Sequence, residues 1–264
     1  MDVQRIGRFV RYGFPAAYRT AGRYTAIAFG LFLISAVVST LLVLWRPALA
    51  DVLLPGTAQG LRGVMQQHHL WMQQATENHS VAANFIMTNN IRVVFVAFAG
   101  GLLLGTLTVY VMVQNGIMLG AVGAMVHQYG LSWQLWSFIL PHGVIELSVI
   151  FMAGGAGLMI ADSILRPGLL RRADALVAEA HHAVRLIAGG VPLLIIAGTI
   201  EGFFSPSNAP DFTKLLVGVL TGTLLYSYLF LSRPSVQAHR SLTLGVGTLD
   251  SATVRVDAIA STAP

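Results

Sequence analysis

Long uncharged stretches separated by short arginine-bearing ones set the pattern of this chain. Tyr24 to Trp45 carries no charge. At about 1.5 Å of rise per residue such a helix reaches roughly 33 Å, enough to cross a hydrocarbon core. Tyr24 and Trp45 stand at its two ends, as interfacial aromatics do. Further apolar runs cover 92–113, 116–136, 140–162, 186–204 and 213–232. Between the first two lies a polar insertion, 46–90, in which Pro47, Pro55 and Gly56 break helix. Within it Leu61, Met65, His68, His69 and Met72 recur at helical spacing, the signature of an amphipathic helix on the membrane surface or against the bundle. Residues 166–185 show the same alternation and predict an amphipathic connecting helix. The pattern as a whole predicts an all-α polytopic membrane helix bundle of about six transmembrane helices with amphipathic interfacial helices.

Composition sharpens this. The chain is 55% hydrophobic and only 10% charged, where soluble domains carry roughly 25% charged residues. With no cysteine, disulfides, thiolate metal sites and cysteine nucleophiles are excluded. The first apolar run is too long for a cleavable signal. Net charge is +5, with Lys214 the one lysine among 16 basic residues. A basic balance can point to nucleic acid, but these arginines cluster between apolar runs, which is the pattern of membrane orientation; no nucleic acid partner is expected. Segment 1–23 holds Arg5, Arg8, Arg11, Arg19 and Arg23. It reads as either an interfacial segment on an anionic leaflet or a basic flank. Residues 233–264 read as a Ser/Thr-rich tail with a short strand around Thr253–Val256.

Charge also sets orientation. Arginines are dense in 1–23, in 166–185 and in the tail, and sparse in 46–92 and 205–214. Placing the dense segments in the cytoplasm puts both termini inside and requires one crossing between Asn115 and Pro141. The run 116–136 supplies it, giving six spans. The alternative is four spans, with 94–136 folded as a re-entrant pair. Two small-residue stripes, Gly100–Gly105 and Gly218–Gly222, predict close helix packing and a homo-oligomer, a dimer first.

Ionisable residues within spans carry the candidate chemistry, because they are costly there and mark function. His142 and Glu146 are four apart and share a helix face. The six-span topology sets them, Glu201, Arg92 and His127 at similar depth in the outer half of the bilayer, as one polar cluster. Three readings are open: an interhelical hydrogen-bond network, an ion or substrate pathway, and a metal or catalytic site. His142 and Glu146 lack the third ligand of a zinc hydrolase. His68, His69 and His79 have no carboxylate cluster around them. No catalytic residue, metal or cofactor is therefore expected.

The stretch Pro141-His142-Gly143-(x)2-Glu146-Leu147, followed by the Gly-rich Ala153–Leu158, resembles the hallmark of the stage II sporulation protein M family of integral membrane proteins. Asn115-Gly116-(x)2-Leu119-Gly120 and Ala197–Pro206 resemble its other recurrent stretches. The similarity covers about residues 80–232 and leaves the 46–90 insertion unmatched. It implies a multi-pass protein of the prokaryotic cytoplasmic membrane. It further implies partners among peptidoglycan-remodelling and envelope proteins, or a MoxR-type AAA+ ATPase system. It supplies no catalytic residues. Pro141, Gly143, Asn115 and Gly116 enter as motif backbone. The expected function is a non-enzymatic envelope scaffold embedded in the lipid bilayer, with a transporter or ion channel using the Glu/His cluster as the alternative.

Overall fold

A computed structural model describes residues 3–67, 70 and 79–232, without the side chains of 79–87. His68, His69, Met72 and the tail, with its expected strand, lie outside the described residues, as does the side chain of His79. Every regular element among the described residues is helical. In chain order these are α1 (Val3–Arg8), a π turn (Phe9–Gly13), α2 (Phe14–Thr20), α3 (Gly22–Trp45), α4 (Leu49–Leu53) and α5 (Ala58–Met65). There follow α6 (His79–Ala99), a 3-10 turn (Gly100–Leu103), α7 (Thr106–Gln128) and α8 (Ser132–Leu165). The chain closes with α9 (Arg172–Thr199), a second π turn (Ile200–Phe204) and α10 (Asp211–Leu231).

Five of these helices, α3, α7, α8, α9 with its π turn, and α10, are long and apolar enough to cross a membrane. The sixth limb, α6, has a shorter apolar stretch, Thr88–Leu103. Contacts fix the relative directions. Gln128 at the end of α7 donates to the Val43 carbonyl at the end of α3, so α3 and α7 run parallel. Asp162 near the end of α8 accepts from Tyr24 at the start of α3, so α8 runs against them. Thr221 of α10 bonds the Pro141 carbonyl and Tyr226 bonds Ser148, so α10 runs parallel to α8. The six limbs alternate in direction.

Helix α8 is the centre of the bundle, with 78% of its most apolar window buried. Its small-residue stretch Ala153-Gly-Gly-Ala-Gly157 makes this possible. A side chain at Gly155 would meet Thr25 of α3, and one at Gly157 would run into the Ala97 carbonyl of α6 and the Thr108 side chain of α7. Without side chains there, three helices close onto α8, and dispersion contacts replace the hydrophobic drive that lipid cannot supply. At one end, Asp162 ties α3 to α8 through Tyr24 (2.5 Å), Arg23 (3.3 Å) and Arg166. At the other end, Ala50, Leu54, Ala58, Met65 and Leu70 of the 46–90 insertion cap α3, α7 and α8 in a second apolar cluster. The insertion is itself held by the Arg62–Asp51 ion pair at 2.8 Å.

Several expectations change. The chain reverses at residues 100–105, inside the expected 92–113 span, and runs helically through Gln114-Asn115-Gly116, where that span was expected to end. Leu104 (φ 55°) and Gly105 (φ 79°) occupy the left-handed region that a tight reversal needs. Asn115 does not break α7, because its side-chain amide bonds back to the Val111 carbonyl at 2.8 Å. Gly116 and Gly120 lie against the Phe32 and Ala36 carbonyls of α3, so these glycines serve close packing inside a helix. The 116–136 run is correspondingly divided between α7, the turn at Gly130 and the start of α8. The expected 140–162 run lies within the longer α8, which starts at Ser132 and carries Pro141 inside it; membrane helices tolerate this where neighbours re-satisfy the freed backbone groups. Segments 166–185 and 186–204 merge into the single helix α9 and its π turn.

Both glycine stripes pack inside the chain. A side chain at Gly101 would strike the Gly157 carbonyl, and one at Gly218 would stand 2.8 Å from the Leu140 carbonyl. Neither stripe is free to form the expected oligomer interface. The basic N-terminal segment also docks on the bundle: Phe14 fills the space left by Gly189, Arg19 donates to the Leu229 carbonyl at 2.7 Å, and Tyr228 donates to the Val10 carbonyl.

Candidate functional site

Helix α8 presents His142 and, one turn on, Glu146 toward the end of α9. There the helix widens into the π turn, closed by the Ser205 N–H on the Ile200 carbonyl at 2.9 Å. Such turns insert a residue into a helix and are frequent at functional sites. This one carries Glu201 and is followed by Ser205, and both reach His142. The His142 Nδ1 lies 3.0 Å from Ser205 Oγ, and its Nε2 lies 3.7 Å from Glu201 Oε1. His142, Glu201 and Ser205 are 4%, 5% and 0% exposed. The edge of Phe138, one turn before His142, stands against the imidazole at 5.9 Å between ring centres. One ligand atom from each of His142, Glu146 and Glu201 lies within 4.8 Å of the other two.

A cavity of about 10 Å³ adjoins the two carboxylates, lined by Asn90, Glu146, Leu194, Ala197, Gly198 and Glu201. That is room for about one water-sized particle. Two carboxylates this close in a low-dielectric setting cannot both stay ionised without a compensating proton or cation. The arrangement can therefore do one of three things chemically: share a proton, bridge helices by hydrogen bonds once protonated, or bind a cation.

Of the five residues expected to converge, the structure brings together His142, Glu146 and Glu201 and leaves out two. Arg92 is exposed. Asn90 faces the cavity, and Arg92, two residues on, lies about 200° around the same helix. His127 is exposed at the end of α7, with its Nδ1 3.2 Å from Ser132 Oγ. Similar depth placed both in the set, but helix rotation points them elsewhere. Of the motif backbone, Gly143 is buried beside Ile139 of its own helix and Pro141 offers its carbonyl to Thr221. Gly116 belongs to the α3–α7 contact and Asn115 bonds back within α7, so neither joins the cluster. Sequence reasoning missed Ser205 and Asn90. Ser205 follows Glu201 by four and so shares its face, a usable signal; Asn90 offered only a polar side chain at the mouth of an apolar run.

Residues 27–206 match the family described as Stage II sporulation protein M. The match takes in most of α3, the 46–90 insertion and the whole His142–Glu201 cluster. It thus begins earlier than the expected 80–232 and stops before α10. An uncharacterized protein of Methanocaldococcus jannaschii is 28% identical over 129 residues, covering 47% of this chain and 71% of its own. No solved structure matches the chain. With the family match spanning more than half of its length, and His142, Glu146 and Glu201 of the motif stretches gathered at one site, the chain belongs to the stage II sporulation protein M family.

Proposed function

We propose that this protein is a non-enzymatic scaffold of the cell envelope, embedded in the cytoplasmic membrane, that holds peptidoglycan-remodelling or other envelope proteins in place. The observation that carries this reading is the closure of its polar cluster. The space beside Glu146 and Glu201 is about 10 Å³, too small for a substrate or a hydrated ion to pass. A larger space, about 450 Å³, is a largely apolar groove lined by Tyr18, Phe29, Phe151, Tyr226 and Phe230 among others, and it includes none of the three cluster residues. A closed cluster joining α8 to the end of α9 fits a part that fixes helix packing. The arginine distribution supports an orientation with both termini cytoplasmic, since Arg166 and Arg23 meet on Asp162 at one end of the bundle. Self-association, on this reading, uses a surface other than the two glycine stripes.

The test pairs a loss with a flux measurement. Deleting the gene in its native host is expected to raise sensitivity to cell-wall hydrolases, with rescue by the wild-type chain. Purified protein in liposomes is expected to pass neither protons nor alkali cations above empty-vesicle leakage. Flux that Glu146→Gln or Glu201→Gln abolishes would replace the scaffold with the transport alternative.

A further inference from the structure

The sequence offered His142 and Glu146 as a metal pair without a third ligand. The fold supplies one. Glu201 arrives from the π turn, and the three side chains bring one ligand atom each within 4.8 Å of one another. Four further observations converge on a bound cation.

The first is an unpartnered buried carboxylate. Glu201 is 5% exposed. Among the described residues it receives no hydrogen bond, and the His142 Nε2 that faces it is 3.7 Å away, beyond hydrogen-bond range. Glu146 likewise receives none among the described residues. A buried carboxylate and a half-buried one thus stand side by side with no donor within hydrogen-bond range among the described residues, an arrangement that proteins otherwise avoid.

The second is the orientation of the imidazole. The Nδ1 side of His142 is taken by the fully buried Ser205 hydroxyl at 3.0 Å. That leaves Nε2 facing the carboxylates. A metal-ligating histidine is held in this way, by a partner on its other nitrogen that fixes ring and tautomer.

The third is the space. The cavity beside Glu146 and Glu201 is about 10 Å³, which suits a single water completing a coordination shell. The fourth is charge. No Lys or Arg joins the cluster among the described residues, because Arg92 points out. A doubly charged ion balances two carboxylates and a neutral imidazole with no residue of charge, the arrangement least costly in a low-dielectric interior.

We infer that His142 Nε2 and one oxygen each of Glu146 and Glu201 form a structural site for a zinc-class divalent transition-metal ion, with a water as fourth ligand. The imidazole argues against magnesium and calcium, which prefer all-oxygen shells. Zinc ligands stand at about 2.0–2.2 Å from the ion. Drawing the three groups in from their present spacing takes side-chain movements of about an ångström. The ion pins α8 to the π turn of α9, and the site is closed to substrate, so its role is to hold the fold.

The experiment uses the full-length protein in detergent. Metal content as purified is measured by mass spectrometry, and a chelator-stripped sample is then titrated with zinc chloride while thermal unfolding is followed. The expected result is about one zinc-class ion per chain and an upward shift of the unfolding temperature on adding zinc. Glu201→Gln, close in shape but uncharged, is expected to lose the ion and the zinc-dependent shift. It is also expected to melt no lower than the stripped wild type, because it removes a carboxylate that lacks a counter-charge. That comparison separates loss of the site from failure to fold, and Glu146→Gln repeats it on the other helix. A double His68→Ala, His69→Ala variant is expected to keep the shift. Absence of metal from the wild type together with no response to zinc overturns the inference. So does a zinc shift that persists undiminished in both glutamine variants, which would place the ion elsewhere. A shift that follows pH alone, without zinc, would also overturn it and leave a shared proton in the site.

Discussion

Gly105→Ala separates two pictures of the middle of the chain by the sign of its effect. If residues 92–113 formed one helix, Gly105 would be a mid-helix glycine, and alanine there would add about 0.8–1.0 kcal/mol of stability. In the structure Gly105 instead ends the reversal between α6 and α7 with φ 79°. Alanine pays about 1–2 kcal/mol to adopt that left-handed conformation. Its methyl group would also stand 3.0 Å from the Ala161 Cβ of α8. Ala161 belongs to the buried face of the central helix and cannot swing aside as a long flexible side chain could. The net expectation is a loss of about 1–2 kcal/mol or somewhat more, which for a chain of this size lowers the unfolding temperature by roughly 2–8 °C. Scanning fluorimetry in detergent reads it, with Gly30→Ala as the control. Gly30 lies within α3, and nothing stands within 4 Å of where its Cβ would be, so that variant should be neutral or raise the unfolding temperature. A Gly105→Ala protein that melts at or above the wild type would refute the hairpin and restore the continuous helix.

Other substitutions test the packing. Gly120→Leu drives a side chain into the Ala36 carbonyl of α3; backbone must shift, so a loss at or beyond the usual overpacking cost of about 1–3 kcal/mol is expected in the same melting assay. Gly218→Leu should destabilise the protomer comparably, because its side chain would stand 2.8 Å from the Leu140 carbonyl, and leave the mass by light scattering unchanged; a fall in mass with intact stability would return the glycine stripe to an oligomer interface. Tyr24→Phe removes the 2.5 Å hydrogen bond to Asp162. Since Arg166 still holds that carboxylate, the loss should sit near the lower end of the roughly 1.5–3 kcal/mol of a charge-assisted bond, read by thermal unfolding. Arg62→Ala breaks the partly exposed pair with Asp51, 28% and 39% exposed, and should cost about 1 kcal/mol or less, an effect that high salt diminishes.

Hydropathy and arginine spacing determined by themselves that this is an all-α membrane bundle, and they set His142, Glu146 and Glu201 at a common depth. Both follow from transfer free energy, which each residue carries locally and which reports position along the membrane normal. Depth is one coordinate, and the errors lie in the others. Arg92 shares the depth of the cluster and points away from it, because two residues turn a helix through about 200°. The reversal at Leu104 and Gly105 was invisible to hydropathy, since a tight apolar turn and an apolar helix partition alike; only contact with α8 places it. The glycines looked like surfaces for another copy of the chain, and the fold uses them against itself, because which small residues meet depends on helix order and rotation. The carboxylate that joins His142 and Glu146 is Glu201, from a π turn far along the chain. Residue types along the chain supplied the imidazole and the two carboxylates, while packing of α8 against α9 alone decided that they face one another.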